Sequence, residues 1–195
     1  MDRKQSLDEY CCLICKENKR FYTVGECNHN QVCYYCTLKS RMHYHDFKCP
    51  MCTKINKEIF VFEYQPGEDL NFLSISKEEC YKDQDFDQNG IFYLDIAAKE
   101  EVLNLTSYKC PISNCKEPVF ETFPNLTYHL KRAHKRFYCE VCIKDGKRFL
   151  SESTLYNQEN LQNHMNYGEY DDNWVTIAPI HTRCQVILFF YFIFS

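Results

Sequence analysis

Residues 12–52 read CLICKENKRFYTVGECNHNQVCYYCTLKSRMHYHDFKCPMC. The ligand-type residues that carry the pattern are Cys12, Cys15, Cys27, His29, Cys33, Cys36, Cys49 and Cys52, spaced C-x2-C-x11-C-x-H-x3-C-x2-C-x12-C-x2-C. A C-x2-C pair suits zinc because a tight turn presents both sulfurs to one ion at ~2.3 Å. Eight donors make two tetrahedral sites of four, with no position left for an activated water, so both metals are expected to be structural rather than hydrolytic. Cys11 competes with Cys12 as first ligand, but only Cys12 gives the two-residue spacing to Cys15. A segment this short buries too little apolar surface to fold alone, and a structural zinc supplies the missing ~10–16 kcal/mol.

The whole chain bears out the emphasis on thiols: 195 residues hold 14 Cys, with 45% apolar and 16% aromatic residues. The N-terminus, MDRKQSLDEY, has no apolar h-region, so no secretory signal is expected and the chain is expected in the cytosol or nucleus. Thiols are reduced there, and paired cysteines read as metal ligands rather than disulfide halves. Net charge is -4, unevenly spread. Residues 53–108 carry five basic and twelve acidic side chains, whereas 109–148 carry nine basic and four acidic. Only the latter segment could attract phosphate. The apolar run Val186 to Phe194 is nine residues, about half of the ~20 that a membrane-spanning helix needs, so no membrane association is expected.

The spacing of residues 12–52 resembles the RING family. That resemblance implies a cross-brace, in which Cys12, Cys15, Cys33 and Cys36 share one zinc and Cys27, His29, Cys49 and Cys52 share the other. It also implies a groove for a ubiquitin-charged E2 enzyme, with Ile14, between the first two ligands, and Pro50, after the seventh, as contacts. The family often places a basic residue just after the last ligand, but here Thr53 stands there and Lys54 follows it.

Beyond the ligands, 55–66 (INKEIFVFEYQP) alternates in polarity and predicts a short strand, GIFYLDI at 90–96 a second, and 97–105 a helix with Ala98, Val102 and Leu105 on one side. Cys80 lacks a partner at ligand spacing and reads as a plain thiol. Cys110, Cys115, His129 and His134 give C-x4-C-x13-H-x4-H, close to a C2H2 finger of ββα form, with Phe120 and Leu126 at the core positions and both histidines on the helix LTYHLKRAH. A second, atypical finger opens at Cys139 and Cys142 and continues to His164; its fourth ligand is left open, with His181 the candidate. Lys131, Arg132, Lys135 and Arg136 surround the second histidine of the first finger and are candidate nucleic-acid contacts, set against an ordinary solvated helix face.

These parts predict small zinc-stabilised α+β modules: a RING cross-brace over 10–54, an acidic α/β connecting segment over 55–108, a C2H2 finger over 109–136, an atypical finger over 137–184, and an apolar tail, 185–195, outside the fold. The order of parts, the CP start at Cys110, the FYCEVC opening at 137–142, LQNHMNYGEYDDN at 161–173 and the H-x2-C at 181–184 resemble the ribosome-collision-sensing E3 ubiquitin ligases. The resemblance implies a cytoplasmic, RNA-contacting ligase whose partners are a charged E2 and the small ribosomal subunit with its rRNA. Where that family continues with further fingers this chain runs into QVILFFYFIFS, which reads as a truncated end. The rival readings are a non-enzymatic zinc-finger protein that binds nucleic acid, and a RING ligase with a different substrate.

Overall fold

The computed structural model describes residues 11–65, 70–83, 86–117, 119–145, 147–170 and 176–178. The chain divides into two compact units, Met1–Asn104 and Leu105–Ser195. Among the described residues no helix is long and apolar enough to cross a membrane.

The first unit is built on a five-stranded sheet made of β1 (Phe21–Gly25), β2 (Val32–Cys33), β3 (Ile59–Glu63), β4 (Tyr81–Lys82) and β5 (Ile91–Tyr93), ordered β2-β1-β3-β5-β4. β1 pairs antiparallel with β3, Tyr22 facing Phe62 and Val24 facing Phe60. β3 then runs parallel to β5, with Phe60 opposite Phe92. The expected strand within 55–66 is β3, but alternation is not what defines it: Ile59, Phe60, Val61 and Phe62 are all buried, because the strand lies in the middle of the sheet with both faces covered. Phe60 stacks on Phe92 with centroids 5.1 Å apart and touches Phe72 at 5.0 Å. Cys12 and Cys33 belong to the same core as these rings. Hydrogen bonding thus joins the ligand-bearing segment and the acidic stretch after it into one sheet.

Three α-helices accompany the sheet among the described residues. α1 (Tyr34–Tyr44) buries Tyr34, Leu38 and Arg41, spaced i, i+4, i+7 along one face. α2 is a single turn (Phe86–Asn89), and α3 (Ile96–Thr106) buries Ala98 and Val102. The Tyr34 hydroxyl donates to Glu101 Oε1 at 2.6 Å, tying α1 to α3.

Arg41 is only 2% exposed and faces no carboxylate in these contacts. Its guanidinium lies 4.4 Å from the Phe47 ring centroid and donates to three backbone oxygens, those of Asn89 (2.9 Å), Asn56 (2.9 Å) and Lys57 (2.6 Å). Burial pulls its pKa down to about 10, still charged near neutrality. Gly90 is required beside this clamp: φ is +61°, and an added Cβ would lie 2.1 Å from the Lys57 oxygen.

In the second unit, β6 (Tyr108–Lys109) and β7 (Val119–Phe120) form an antiparallel hairpin followed by α4 (Phe123–His129), whose N-cap Thr122 accepts from the Asn125 N–H. α4 continues into a π-helical turn, Leu130–His134, closed by an N–H bond from Lys135 to the Leu130 oxygen. Next come β8 (Phe137–Tyr138), α5 (Glu140–Asp145), β9 (Leu155–Tyr156), which pairs with β8, and α6 (Gln158–Tyr167). Strands β10 (Glu169–Tyr170) and β11 (Thr176–Ala178) pair after it. Cys110, Leu126, Leu130 and Tyr138 share one core with Phe120, Phe123 and Leu155, so the two finger-like stretches pack on each other within this unit.

Replacing Arg41 with Leu leaves three backbone oxygens without a donor. It is expected to lower the stability of the first unit by roughly 2–4 kcal/mol, read as a shift in the denaturant midpoint of zinc-loaded protein, with the slope unchanged. A shift below about 0.5 kcal/mol would show that the clamp does not hold these segments together.

Candidate metal centres

Cys12 and Cys15 sit on the turn before β1, Cys33 ends β2, and Cys36 lies in the first turn of α1. Their four donor atoms all lie within 4.8 Å of one another. The Cys15 and Cys33 sulfurs are 3.9 Å apart. Cys27 and His29, on the loop between β1 and β2, meet Cys49 and Cys52 in the same way, with His29 Nδ1 3.7 Å from Cys49 Sγ. Tetrahedral zinc at ~2.3 Å from sulfur and ~2.0–2.1 Å from nitrogen sets donor–donor edges of roughly 3.3–3.8 Å, close to the distances found in both clusters. The structure therefore brings these eight residues together in the interleaved pairing implied by the resemblance.

The surroundings suit thiolates. Cys12 Sγ accepts from the Cys33 N–H at 3.3 Å and Cys49 Sγ from the Met51 N–H at 3.4 Å. Burial alone raises a thiol, but N–H groups of Cys33, Cys15 and Ile14 bring Cys12 down to about 7. For Cys27, burial is likewise outweighed, by the backbone of His29 and the carboxamide of Asn56, and the value falls to about 6. Cys33 is instead pushed far up, first by its contact with Cys36 and then by burial. Four such donors cannot all ionise side by side unless a cation neutralises them, which is the condition a divalent zinc ion satisfies.

Asn56 is the residue sequence reading missed. It is buried at 6% exposure, donates from Nδ2 to Cys27 Sγ at 3.3 Å, and accepts the Cys27 N–H on Oδ1 at 3.2 Å. Its own carbonyl is held by Arg41. Gly25 is small for the same reason, since a Cβ there would meet Asn56 Cγ at 2.6 Å. No spacing rule signals an Asn four residues after the last ligand.

Ile14 (49% exposed) and Pro50, also exposed, line one small pocket of about 40 Å³ together with His29, Val32, Thr37 and Ser40. Leu13 and Met51 stand exposed beside them at 41% and 46%, a wider apolar face than sequence reading assigned. Lys54 reaches back to the Glu26 carbonyl oxygen at 3.2 Å, after Thr53 turns the chain through φ +61°.

In the second unit Cys110, Cys115, His129 and His134 converge, again within 4.8 Å. His129 Nε2 lies 3.2 Å from Cys115 Sγ and 3.1 Å from His134 Nε2. The outer nitrogen of His129, Nδ1, is 3.3 Å from a Glu117 carboxylate oxygen, a partner that fixes the ring with Nε2 inward. Cys139, Cys142 and His164 form a fourth cluster, with Cys142 Sγ 3.2 Å from His164 Nε2. His164 is 2% exposed, stacks on Tyr156 at 4.7 Å and has Nδ1 3.3 Å from its hydroxyl. His181 lies outside the described residues, as do the apolar tail and Cys184. Lys131, Arg132, Lys135 and Arg136 are all exposed, and among the described residues none pairs with a carboxylate.

The zinc finger, C3HC4 type (RING finger) family matches residues 8–59. Over that segment the chain is similar to RING fingers. The match runs past the last ligand of the RING to the first residue of β3. The chain is also homologous to proteins named as E3 ubiquitin ligases. It is 30% identical over 183 residues to E3 ubiquitin-protein ligase hel2 of Schizosaccharomyces pombe, covering 93% of this chain and 24% of hel2. Against E3 ubiquitin-protein ligase ZNF598 of Danio rerio it is 30% identical over 179 residues, 91% of this chain and 18% of ZNF598. HEL2 of Saccharomyces cerevisiae is 27% identical over 158 residues, 80% of this chain and 24% of HEL2. The chain therefore spans about a quarter or less of these relatives. No solved structure matches it.

Because the Asn56 carboxamide steadies a ligand of only one RING cluster, Asn56→Ala is expected to weaken zinc there by roughly 10–100-fold and leave the other cluster unchanged. Titration with a chromophoric chelator checks this: one equivalent of zinc should leave early. Uniform retention of all zinc would remove Asn56 from the metal site.

Proposed function

We propose that this chain acts as a RING-type E3 ubiquitin transferase. The observation that carries the reading is the exposed pair Ile14 and Pro50, beside two clusters whose donor sets are each made of four protein side chains. Bound zinc supplies structure to these loops, with no coordination position left for catalysis. What the chain itself contributes is position. Leu13, Ile14, Pro50 and Met51 offer an apolar seat for an E2 enzyme whose cysteine carries ubiquitin as a thioester. A substrate lysine amine attacks the thioester carbonyl, the carbon–sulfur bond breaks, the E2 thiol departs, and the amine loses a proton as the isopeptide forms. Holding donor and acceptor in a near-attack arrangement is a source of rate by itself, without a nucleophile from the RING.

Residues 109–136 and 137–184 are read as C2H2-type fingers, the second atypical, with His181 completing the set of Cys139, Cys142 and His164. The hairpin-then-helix order around Cys110, Cys115, His129 and His134 supports the first assignment. The substrates proposed are small-subunit ribosomal proteins on stalled or collided ribosomes, in the cytoplasm, with Lys131, Arg132, Lys135 and Arg136 against rRNA phosphates. Support comes from homology to hel2 and ZNF598 and from four exposed cations without carboxylate partners among the described residues.

Zinc-loaded protein incubated with E1, a panel of E2 enzymes, ubiquitin and purified ribosomes is expected to build ubiquitin conjugates. Ile14→Ala should slow this about tenfold or more with zinc content intact, as truncation of an interface anchor does. Conjugates on proteins other than ribosomal ones would reassign the substrate. Absence of activity with every E2, from protein shown to hold its zinc, would leave a binding module and reject the transferase.

A further inference from the structure

The first finger-like stretch carries a concavity of about 490 Å³ on the outward side of α4, lined by Glu117, Phe120, Asn125, Tyr128, Arg132 and Ala133 together with the His129 ligand. That volume falls within the ~300–1,000 Å³ of small-ligand sites. Its composition is specific. Tyr128 projects into solvent at 61% exposure, and its hydroxyl accepts from Arg132 at 2.6 Å while the guanidinium lies 5.5 Å from the ring centroid. With the ring this exposed, aromatic surface remains for a second planar group. Asn125 stands one turn earlier, exposed; among the described residues its carboxamide has no partner, so both a donor and an acceptor are available. Glu117, whose carboxylate also meets His129 Nδ1 at 3.3 Å, lines the same concavity, and Phe120 provides apolar surface.

We propose that this concavity binds an unpaired nucleobase of single-stranded RNA, stacked on Tyr128 and met at its edge by Asn125 and Glu117. The proposal rests on the reading that this unit contacts RNA and adds how. Charge sets the direction: the Glu117 carboxylate repels phosphate and accepts from a base N–H, while Lys131, Lys135 and Arg136 lie exposed on the π turn and its exit and attract the backbone. A duplex offers its bases only at the floor of a groove, whereas a splayed base presents a full face to an exposed aromatic ring, as single-strand binders use.

The test is fluorescence anisotropy of the whole zinc-loaded chain with a labelled single-stranded RNA of about ten nucleotides, a length within the usual single-strand site sizes, and with an abasic strand of equal length and charge. Wild type is expected to bind the abasic strand roughly tenfold more weakly, the loss of one stacked base. Tyr128→Leu should erase most of that difference while sparing abasic affinity; Tyr128→Phe, which keeps the ring, should retain it; Asn125→Ala should reduce it. Replacing Lys131, Lys135 and Arg136 together by Ala should weaken both strands alike. Equal wild-type affinity for the two strands would overturn the base pocket and leave phosphate contact standing, whereas no binding of either would overturn both. Discrimination that survives Tyr128→Leu would place the base elsewhere and reject the proposal.

Discussion

Four cysteine or histidine donors gathered within 4.8 Å form an arrangement the chain cannot hold by itself, because neighbouring thiolates repel and neighbouring thiols have little to bond. A dication reverses that balance. In the RING the reversal acts at long range along the chain, since Cys12 and Cys36 share one cluster and Cys27 and Cys52 the other. Each ion therefore closes a loop that the other also passes through, and the contribution of a structural zinc, ~10–16 kcal/mol, exceeds what the small core of such a segment could give. The turns that carry Ile14 and Pro50 lie between ligands of these clusters and are fixed in this way.

The metal clusters do not act apart from the sheet. Cys27 is bonded twice by Asn56, the Asn56 carbonyl is bonded by Arg41, and Arg41 also holds Lys57 and Asn89. This relay runs from a zinc ligand through α1 to the residues just before β3 and β5. Its members tolerate little change, as the close approach of any Cβ at Gly25 or Gly90 indicates. A buried guanidinium without a carboxylate is costly, and it persists here because three backbone oxygens and the Phe47 face replace its water.

The ligand clusters were legible in the sequence because metal coordination imposes spacing, and spacing is one-dimensional. All eight RING donors, the four of the first finger-like cluster and three of the next meet in space. Strands β3 and β5 and helix α3 were legible as elements for similar reasons of pattern and propensity. What the sequence did not disclose is the partnership among them. Nothing in INKEIFVFEYQP says that it pairs antiparallel with β1 and parallel with β5, since a strand buried on both faces reads only as an apolar run. Asn56, Glu117 and Tyr156 were equally silent: each steadies a donor reached through the fold, and a single Asn, Glu or Tyr has no signature. The five-residue step from His129 to His134 was legible as finger spacing, but its consequence for the helix was not. An α-helix would turn such a pair well off one face, so the last turn widens to π geometry, with Lys135 bonding back five residues to Leu130, and both Nε2 atoms come to 3.1 Å.

Charge separates the two tasks proposed for the chain. Through residue 108 there are thirteen basic against eighteen acidic side chains, and the acidic excess lies in the stretch that completes the RING sheet. A polyanion is therefore repelled from the unit that carries the apolar Leu13, Ile14 and Met51 face, and that face stays open to a protein partner. From 109 to 148 the balance reverses, with nine basic against four acidic groups. Attraction for phosphate thus falls to the second unit without any need for a barrier between the surfaces. Because the field is set by exposed charges, raised salt would relax this sorting at the finger-like surface while leaving the apolar RING face nearly unaffected, which follows from screening alone.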